Sequence, residues 1–300
     1  MTMELEVVRD ISEQEFVDEY VAKNKPVVVD GIPFEPSNWT PEAVKKNIGD
    51  LTTQIYGSLF DLENIASLEE YFDDYFGNTE AGYPEDVPYV RWYNQLKDVD
   101  FVWGDEAFEG LQSSWTKPDC MPSSDLLVPV SSSESKDPVT DNFPYRGILV
   151  SARGARTRMH RDPFCSDAIV AQFHGAKEAL LYHPDRTEEL TLKAEDSSFG
   201  GFIDVREDDL SKASVEPTYS GVIRPGQMIY IPHGWLHDVI SIEDSISITW
   251  NFVHKHGSKE FVEYLKNDPT SDSEFEVLQY FYETAGHPKL SPDQILSLVA

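Results

Sequence analysis

The chain has 300 residues, of which 40% are apolar and 12% aromatic, so it can bury a sizeable core and is neither disordered nor fibrous. Its 54 acidic and 24 basic side chains give a net charge of −30, which argues against direct binding to nucleic acid. Such an excess of acid serves solubility, and it also attracts a basic protein or peptide partner.

The N-terminal part is predicted to mix helices with short strands. Ser12 and Glu15 form a capping box ahead of apolar residues at helical spacing, and Pro26 ends this helix. The β-branched run 27–29 predicts a strand. A second helix is predicted to begin at Thr40 and Pro41 and to end at Gly49. A third begins with the capping pair Ser67 and Glu70 and ends at Gly77.

A strand with one polar and one apolar side is predicted at residues 89–93, where Tyr89, Arg91 and Tyr93 alternate with apolar residues. The segment 131–142, which contains four serines, predicts a loop or linker. Short β-runs then follow at the even spacing that is typical of a sandwich or barrel. These runs are 147–151, 168–173, 179–182, 221–223, 227–231 and 245–252.

From residue 259 the spacing of apolar residues is helical again. We therefore divide the chain into an N-terminal helical and mixed region (1–130), a β domain (143–256) and a C-terminal helical extension (257–300). The expected fold class is mainly β with added helices.

Cysteine content and the chain start indicate the cellular setting. Cys120 and Cys165 are too few for a disulfide framework or a four-cysteine zinc module. No apolar run approaches the roughly 18 residues needed to cross a bilayer, and the first residues are acidic where a secretory signal is basic. We expect an intracellular protein, cytoplasmic or nuclear, without a membrane-spanning segment.

The pattern that indicates chemistry is His160-Arg161-Asp162, with His237 in a distant segment. Side chains two residues apart on an extended chain point to the same face and can take adjacent positions on one ion. Two histidines and one carboxylate form the facial triad of non-haem iron(II) oxygenases. A second copy, beginning at His183, is followed at once by proline and predicts a strand end and turn. We also interpret His174 and His233 as turn or rim histidines.

Several ordered motifs between residues 145 and 254 resemble the JmjC branch of the cupin superfamily, most of all its small hydroxylases. These motifs are 147–162, 171–177 leading to His183-Pro184, 224–237 and 248–252, and weaker similarity covers 25–31 and 39–41. The resemblance implies a double-stranded β-helix, the jelly-roll barrel of cupins, that binds Fe(II) at its open mouth. The cosubstrate of that family is 2-oxoglutarate.

By the resemblance, the iron ligands and catalytic centre are His160, Asp162 and His237. Lys177 matches the lysine that binds the distal carboxylate of 2-oxoglutarate, and its alternative role is that of a surface turn lysine. The His-Arg-Asp string also occurs in kinase catalytic loops, but no glycine-rich phosphate loop and no Asp-Phe-Gly accompany it. A kinase is therefore excluded.

Two more positions match cosubstrate-site residues of the family. Thr157 matches a hydroxyl donor, although a generic loop threonine is an alternative. Asn251 matches a polar position near the metal, and its alternative is a core asparagine satisfied by backbone. Relatives also supply a cosubstrate-contacting tyrosine from the region of residues 89–93, where the register is not determined by the sequence.

Four arginines surround the metal motif, namely Arg153, Arg156, Arg158 and Arg161. They would form a positive rim that steers anions, or they pair with neighbouring acids. For Cys165 we expect a buried, small apolar role rather than metal ligation.

The resemblance implies a dioxygenase, an oxidoreductase that hydroxylates a protein or peptide side chain with succinate and CO2 as coproducts. The alternatives are N-methyl-lysine demethylation, a binding protein of the same fold without turnover, and hydroxylation of a modified RNA base. A homodimer through residues 259–300 is also predicted, because the tail has more apolar residues than its helices need to cover one sheet. Those residues are Phe261, Leu265, Phe275, Leu278, Phe281 and Ile295. The alternative is that the tail covers the open end of its own barrel.

Overall fold

The computed structural model describes residues 2–78, 86–93, 104–111, 114, 117–128, 146–192, 201–206, 215–267, 271–284 and 286–298. The loop predicted at 131–142 lies outside these ranges. The side chain of Phe281 is also outside the description.

The described residues contain fifteen strands. They are β1 (Met3–Glu4), β2 (Val7–Arg9), β3 (Val27–Asp30), β4 (Thr52–Tyr56), β5 (Leu62–Ser67), β6 (Tyr89–Tyr93), β7 (Leu126–Val128), β8 (Gly147–Ser151), β9 (Arg156–His160), β10 (Asp167–His174), β11 (Lys177–Tyr182), β12 (Tyr219–Ile223), β13 (Gln227–Ile231), β14 (Leu236–Ser241) and β15 (Ser245–His254). One sheet has the order β1-β12-β11-β14-β9. The other has the order β2-β3-β13-β10-β15-β8-β6-β4-β5, and β7 pairs with β15.

The helices lie mostly at the two ends of the chain. They are α1 (Glu13–Phe16), continued by a π-helix at Val17–Val21, then α2 (Pro41–Ile48), α3 (Leu68–Tyr75), α4 (Asp105–Leu111), α5 (Thr187–Leu190), α6 (Ser258–Asn267), α7 (Ser271–Thr284) and α8 (Pro292–Ile295). Short 3-10 turns occur at Pro36–Asn38, Pro163–Cys165, Pro184–Arg186, Lys255–Gly257 and Leu296–Leu298. Within the part of the chain that is described, no helix has the length and apolar content to span a bilayer.

The helix starts predicted from capping residues are confirmed. Ser12 accepts a hydrogen bond from the Glu15 amide, and the Glu15 carboxylate accepts one from the Ser12 amide. Ser67 and Glu70 make the same reciprocal pair at the start of α3. Thr40 caps α2. Local hydrogen bonds satisfy the free amides of a first helical turn, which explains why sequence alone located these starts.

All six predicted β-runs are strands, but the sequence reasoning missed several others, including β9 and β14. These two strands carry charged side chains that reduce their β-signal. The Arg156 guanidinium on β9 pairs with the Asp238 carboxylate on β14 at 2.6 Å. This ion pair between the two strands neutralises both charges, so these residues can lie in a sheet. The composition of the two segments gave no indication of it.

The N-terminal and C-terminal regions are joined to the β-rich part by strand pairing and by one core. Strand β3 pairs with β13, and β6 pairs with β8. The largest core cluster contains Phe16, Trp92, Trp250 and Leu278, which come from all three predicted regions. The fold is thus mainly β with added helices, and the three-part division of the chain stays a prediction.

The apolar residues of the C-terminal tail pack on their own chain. Phe261, Leu265, Leu278 and Ile295 are buried, and Phe275 is partly buried against the same core. This burial agrees with the alternative in which the tail covers its own chain, and these side chains lend no support to a dimer. The dimer itself stays a prediction.

Candidate metal and cosubstrate site

Two neighbouring strands of the five-stranded sheet bring three chelating side chains together. His160 ends β9, His237 lies near the start of β14, and the two are direct partners in the antiparallel register. Asp162 follows two residues after β9 and places a carboxylate oxygen 3.6 Å from His237 Nε2. One ligand atom from each of the three residues lies within 4.8 Å of the other two.

Hydrogen bonds orient both imidazoles toward a common point. His160 Nδ1 lies 2.9 Å from the Arg158 carbonyl oxygen, and His237 Nδ1 lies 3.1 Å from the Trp235 carbonyl oxygen. Since a carbonyl only accepts, each Nδ1 donates a proton to it, and Nε2 is the atom that each ring directs toward the other ligands. Burial, followed by the neighbouring His237, lowers the pKa of His160 well below its usual value. Rings held in this way are suited to bind a metal through Nε2.

The three residues lie in the wall of one cavity. All three further residues predicted from the sequence, Thr157, Lys177 and Asn251, lie in its wall, as do the polar residues of β6. The lining comprises Phe60, Tyr89, Arg91, Tyr93, Leu149, Thr157, His160, Asp162, Ala168, Val170, Lys177, Ile231, His237, Val239, Thr249 and Asn251. The position of Phe60 had no sequence signal, because a loop distant in the chain brings it there.

Lys177 is a buried cation rather than a surface turn lysine, since only 7% of its surface is exposed. Its ammonium group donates hydrogen bonds to Ser151 Oγ at 2.8 Å and Ser241 Oγ at 2.9 Å. No carboxylate of the described residues forms an ion pair with it, and burial lowers its pKa to about 7. A buried cation without a counter-anion, in the wall of a cavity, is suited to bind an anion.

Tyr89 and Thr157 provide hydroxyl groups at the same cavity. The Tyr89 hydroxyl is buried and makes no hydrogen bond of standard geometry within the residues described, and the side chain of Thr157 lies beside it. Burial raises the pKa of Tyr89, so its proton is retained and available for donation. On β6, Tyr93 by contrast accepts a hydrogen bond from Arg91 at 3.0 Å.

Asn251 lies on β15 opposite Ala168 and is buried in the cavity wall. Its amide nitrogen donates to Ser166 Oγ at 3.1 Å, so a side chain holds its orientation. The same contact fixes the direction of the amide oxygen. Asn251 therefore lies, in a fixed orientation, in the wall of the cavity that the triad also lines.

Two of the four arginines around the metal motif pair with acids. Arg156 contacts both Asp204 and Asp238, and Arg158 contacts Asp204 at 2.9 Å. Of the two alternatives for this cluster, pairing with neighbouring acids holds for these two residues, because carboxylates neutralise them. Cys165 is partly exposed, at a φ of 46°, so the expectation of a buried role was wrong.

The histidines outside the triad differ from one another. His183 caps a 3-10 turn by accepting a hydrogen bond from the Asp185 amide, as its position before proline predicted. His233 lies in a turn, as predicted, but it is buried there, with its Nδ1 3.1 Å from the Asp167 carboxylate. That carboxylate also accepts hydrogen bonds from the Tyr230 hydroxyl and the His233 amide. Long-range packing creates this network, and no local pattern indicates it.

A mainly β, two-sheet fold that directs two imidazoles and one carboxylate into a cavity defines a metal-binding cupin. Residues 12–259 match the model of the cupin-like domain family, and the chain belongs to that family.

Proteins with sequences similar to this chain agree with its assignment to the cupin-like family. The chain is 26% identical over 271 residues to the arginine-specific demethylase JMJ22 of Arabidopsis thaliana. This alignment covers 86% of the present chain and 48% of JMJ22. The chain is 33% identical over 117 residues to the 2-oxoglutarate and iron-dependent oxygenase JMJD4 of Gallus gallus, covering 37% and 27%. It is 24% identical over 255 residues to JmjC domain-containing protein A of Dictyostelium discoideum, covering 77% and 88%. The chain thus spans about half or less of the first two relatives, and the resemblance to the JmjC branch is confirmed.

Proposed function

We propose that the chain is an Fe(II)- and 2-oxoglutarate-dependent dioxygenase that hydroxylates a protein or peptide side chain. The observation that carries this proposal is the buried, unpaired Lys177 in the same cavity as the triad. A metal site alone fits many reactions, whereas a metal site combined with a buried cation fits a cosubstrate with a distal carboxylate. The relatives named as oxygenases and demethylases support the same chemistry.

The donor set fits the metal. His160 Nε2, His237 Nε2 and one oxygen of Asp162 would hold Fe(II), and three ligand positions would remain for other groups. With 2-oxoglutarate bound, Fe(II) supplies the oxidising chemistry, in which O2 converts the cosubstrate to succinate and CO2 and adds one oxygen atom to a substrate C–H bond. The carbonyl contacts of Arg158 and Trp235 hold the two Nδ1 atoms, so that both Nε2 atoms would face the metal.

The buried polar groups of the cavity fit the cosubstrate. Lys177 would pair with the distal carboxylate, and Ser151 and Ser241 would hold the ammonium group in place. Tyr89 and Thr157 would donate hydroxyl protons to the same carboxylate, which would satisfy the orphaned Tyr89 hydroxyl. Apolar neighbours such as Ile231 and Val239 exclude water from this end of the cavity.

We also propose that the two sheets form the double-stranded β-helix of this family, with the triad at its open mouth, and that the protein works inside the cell. The pairing of β9 with β14 supports the placement of the triad, because both ligand histidines then lie at one edge.

Turnover tests the proposal. We expect the purified chain, supplied with Fe(II), 2-oxoglutarate, O2 and candidate peptides, to form succinate and a peptide heavier by one oxygen atom. His237→Ala and Asp162→Ala should abolish both products. Succinate formation that is undiminished in the double variant would contradict the proposal.

Demethylation is the second candidate, favoured by relatives named as arginine-specific and lysine-specific demethylases that align over 271 residues. Hydroxylation of an N-methyl group yields formaldehyde, whereas hydroxylation of a carbon side chain leaves a stable alcohol. Formaldehyde release from methylated peptides therefore distinguishes the two outcomes.

A further inference from the structure

The hairpin of β4 and β5 carries an unusual concentration of exposed apolar side chains. Among the described residues, six large apolar side chains are exposed. Three of the six lie in this hairpin, within the seven residues 59–65. Leu59, Leu62 and Ile65 have 55%, 44% and 49% of their surface exposed. Single exposed apolar residues need no explanation, but a local group of this kind marks an interaction surface.

The same hairpin forms part of the cavity wall. Phe60, next to Leu59, has a φ of 66°, and its ring contacts His160 edge-on with 4.9 Å between centroids. Arg91 lies over the same ring, with its guanidinium 4.5 Å from the ring centroid. One short loop thus contacts a triad residue on one side and presents apolar surface on the other.

Strand β5 also offers a free edge. It ends the order of the ten-stranded sheet, and in the part of the chain that is described it pairs with β4 alone. Its first four residues, 62–65, are all exposed. An edge strand presents unpaired amide and carbonyl groups that can pair with an extended polypeptide.

The charge around this edge is negative. Between residues 47 and 90 the sequence has ten acids and no lysine or arginine. Asp61 and Glu63 lie in the hairpin, and Asp86 accepts a hydrogen bond from Ser58 Oγ at 3.0 Å. Partial desolvation, followed by the charges of Asp61 and Asp86, raises the pKa of Glu63. The complementary partner is basic.

We propose that this hairpin docks the polypeptide substrate, an inference that rests on the proposed function. A basic, extended segment adds as a strand along β5, and its apolar side chains pack on Leu62 and Ile65. The residue to be modified then enters the cavity at the Phe60 end. Six residues of β5 span about 20 Å, so recognition extends over about six substrate residues on one side of the modified residue.

Peptide binding to the purified full chain tests the docking surface. The probes are two pools of fluorescent 13-residue peptides in which leucine or valine alternates with a charged residue. The charged residue is lysine or arginine in the basic pool and glutamate in the acidic pool. We expect the basic pool alone to bind, with an affinity that falls as salt is added. Leu62→Ser/Ile65→Ser should weaken this binding at least tenfold. The control Val7→Ser/Val222→Ser, which removes apolar surface exposed elsewhere, should leave it unchanged.

Two further measurements keep the test independent of turnover. Hydrogen exchange should slow at the backbone amides of 62–67 when the basic pool binds, and metal analysis should show equal Fe(II) loading in both double variants. Equal binding by the two double variants, or no binding of the basic pool, would overturn the docking surface. The docking surface would also be overturned if the wild-type chain had a doubled mass and the Leu62→Ser/Ile65→Ser variant alone were a monomer. A second copy of the chain would then occupy the edge of β5. Binding at the hairpin without succinate formation would instead contradict the proposed function and leave the docking surface intact.

Discussion

The fold buries the Lys177 ammonium at a cost, since within the described residues its hydrogen-bond partners are two serine hydroxyl groups and no carboxylate. An anion with a carboxylate would compensate that cost, and breaking such a pair costs a few kcal/mol. We therefore expect Lys177→Ala to raise the 2-oxoglutarate concentration for half-maximal turnover at least tenfold while Fe(II) loading stays the same. The control Lys255→Ala removes an exposed lysine that pairs with Asp125 and should have no effect. An unchanged 2-oxoglutarate titration in Lys177→Ala would remove this residue from the site.

The pH dependence of stability provides a separate test of Lys177. Burial lowers its pKa in the folded chain from 10.5 to about 7, so between these values the unfolded chain binds more protons. The free energy of unfolding of the metal-free protein should therefore increase as pH rises through this window. Between pH 7 and 9 the contribution is about 2 kcal/mol. Urea unfolding should show this increase in wild type relative to Lys177→Met, and parallel pH profiles would contradict it.

The residues of the site differ in how far sequence could predict them. The spacing of His160 and Asp162 is local, and the family motifs added His237 and Lys177. Tyr89 could not be selected from its strand, because its distinguishing feature is the burial of its hydroxyl beside Thr157 in the cavity wall, which exists only in the folded chain.

At the level of elements, β9 and β14 hold the two ligand histidines in register, and a buried ion network joins these strands. Asp238 is fully buried next to His237 and contacts the guanidinium groups of both Arg156 and Arg206 at 2.6 Å. This carboxylate crosses the strand pair and thereby helps to set the separation of the ligand histidines.

We expect Asp238→Ala to lower the free energy of unfolding by about 3 kcal/mol, because it leaves two guanidinium groups without their buried partner. It should also weaken Fe(II) binding, since β9 and β14 lose a cross-strand contact. Urea unfolding and metal titration measure the two effects. The control Asp73→Ala removes an exposed partner of Lys45 and should change neither quantity. Full stability in Asp238→Ala would show that the network is not needed to join the strands.

Element prediction succeeded where the signal is local and failed where it is distant. Capping boxes at Ser12 and Ser67 located helices, and short β-runs together with the alternation at 89–93 located eight strands. Strands β9 and β14 were missed because their charged residues become acceptable only through pairing across the sheet.

For the whole molecule, the largest core joins the N-terminal helices, the ten-stranded sheet and the C-terminal tail. Which strands meet could not be predicted, since the pairing of β3 with β13 joins residues about 200 positions apart. The mainly β class, in contrast, follows from composition and spacing along the chain.

The tail's role in this core can be tested at Leu278, which is fully buried. Leu278→Ala should lower the free energy of unfolding by about 2–4 kcal/mol, because it leaves a cavity in the chain's own core. The control Val7→Ala changes an exposed side chain and should have little effect. Light scattering beside urea unfolding distinguishes the roles: a halved mass at unchanged stability would instead assign Leu278 to a dimer interface.

If the triad and Lys177 hold Fe(II) and 2-oxoglutarate in one cavity, anaerobic titration of the purified chain should show both binding steps. We expect one Fe(II) per chain, followed by a visible absorption band of the iron chelate when 2-oxoglutarate is added. His237→Ala should lose both, and Lys177→Ala should keep the iron but require at least tenfold more 2-oxoglutarate for the band. Full iron occupancy in a His237→Ala/Asp162→Ala variant, or wild-type iron without a band at any 2-oxoglutarate concentration, would show that the cavity is not this joint site.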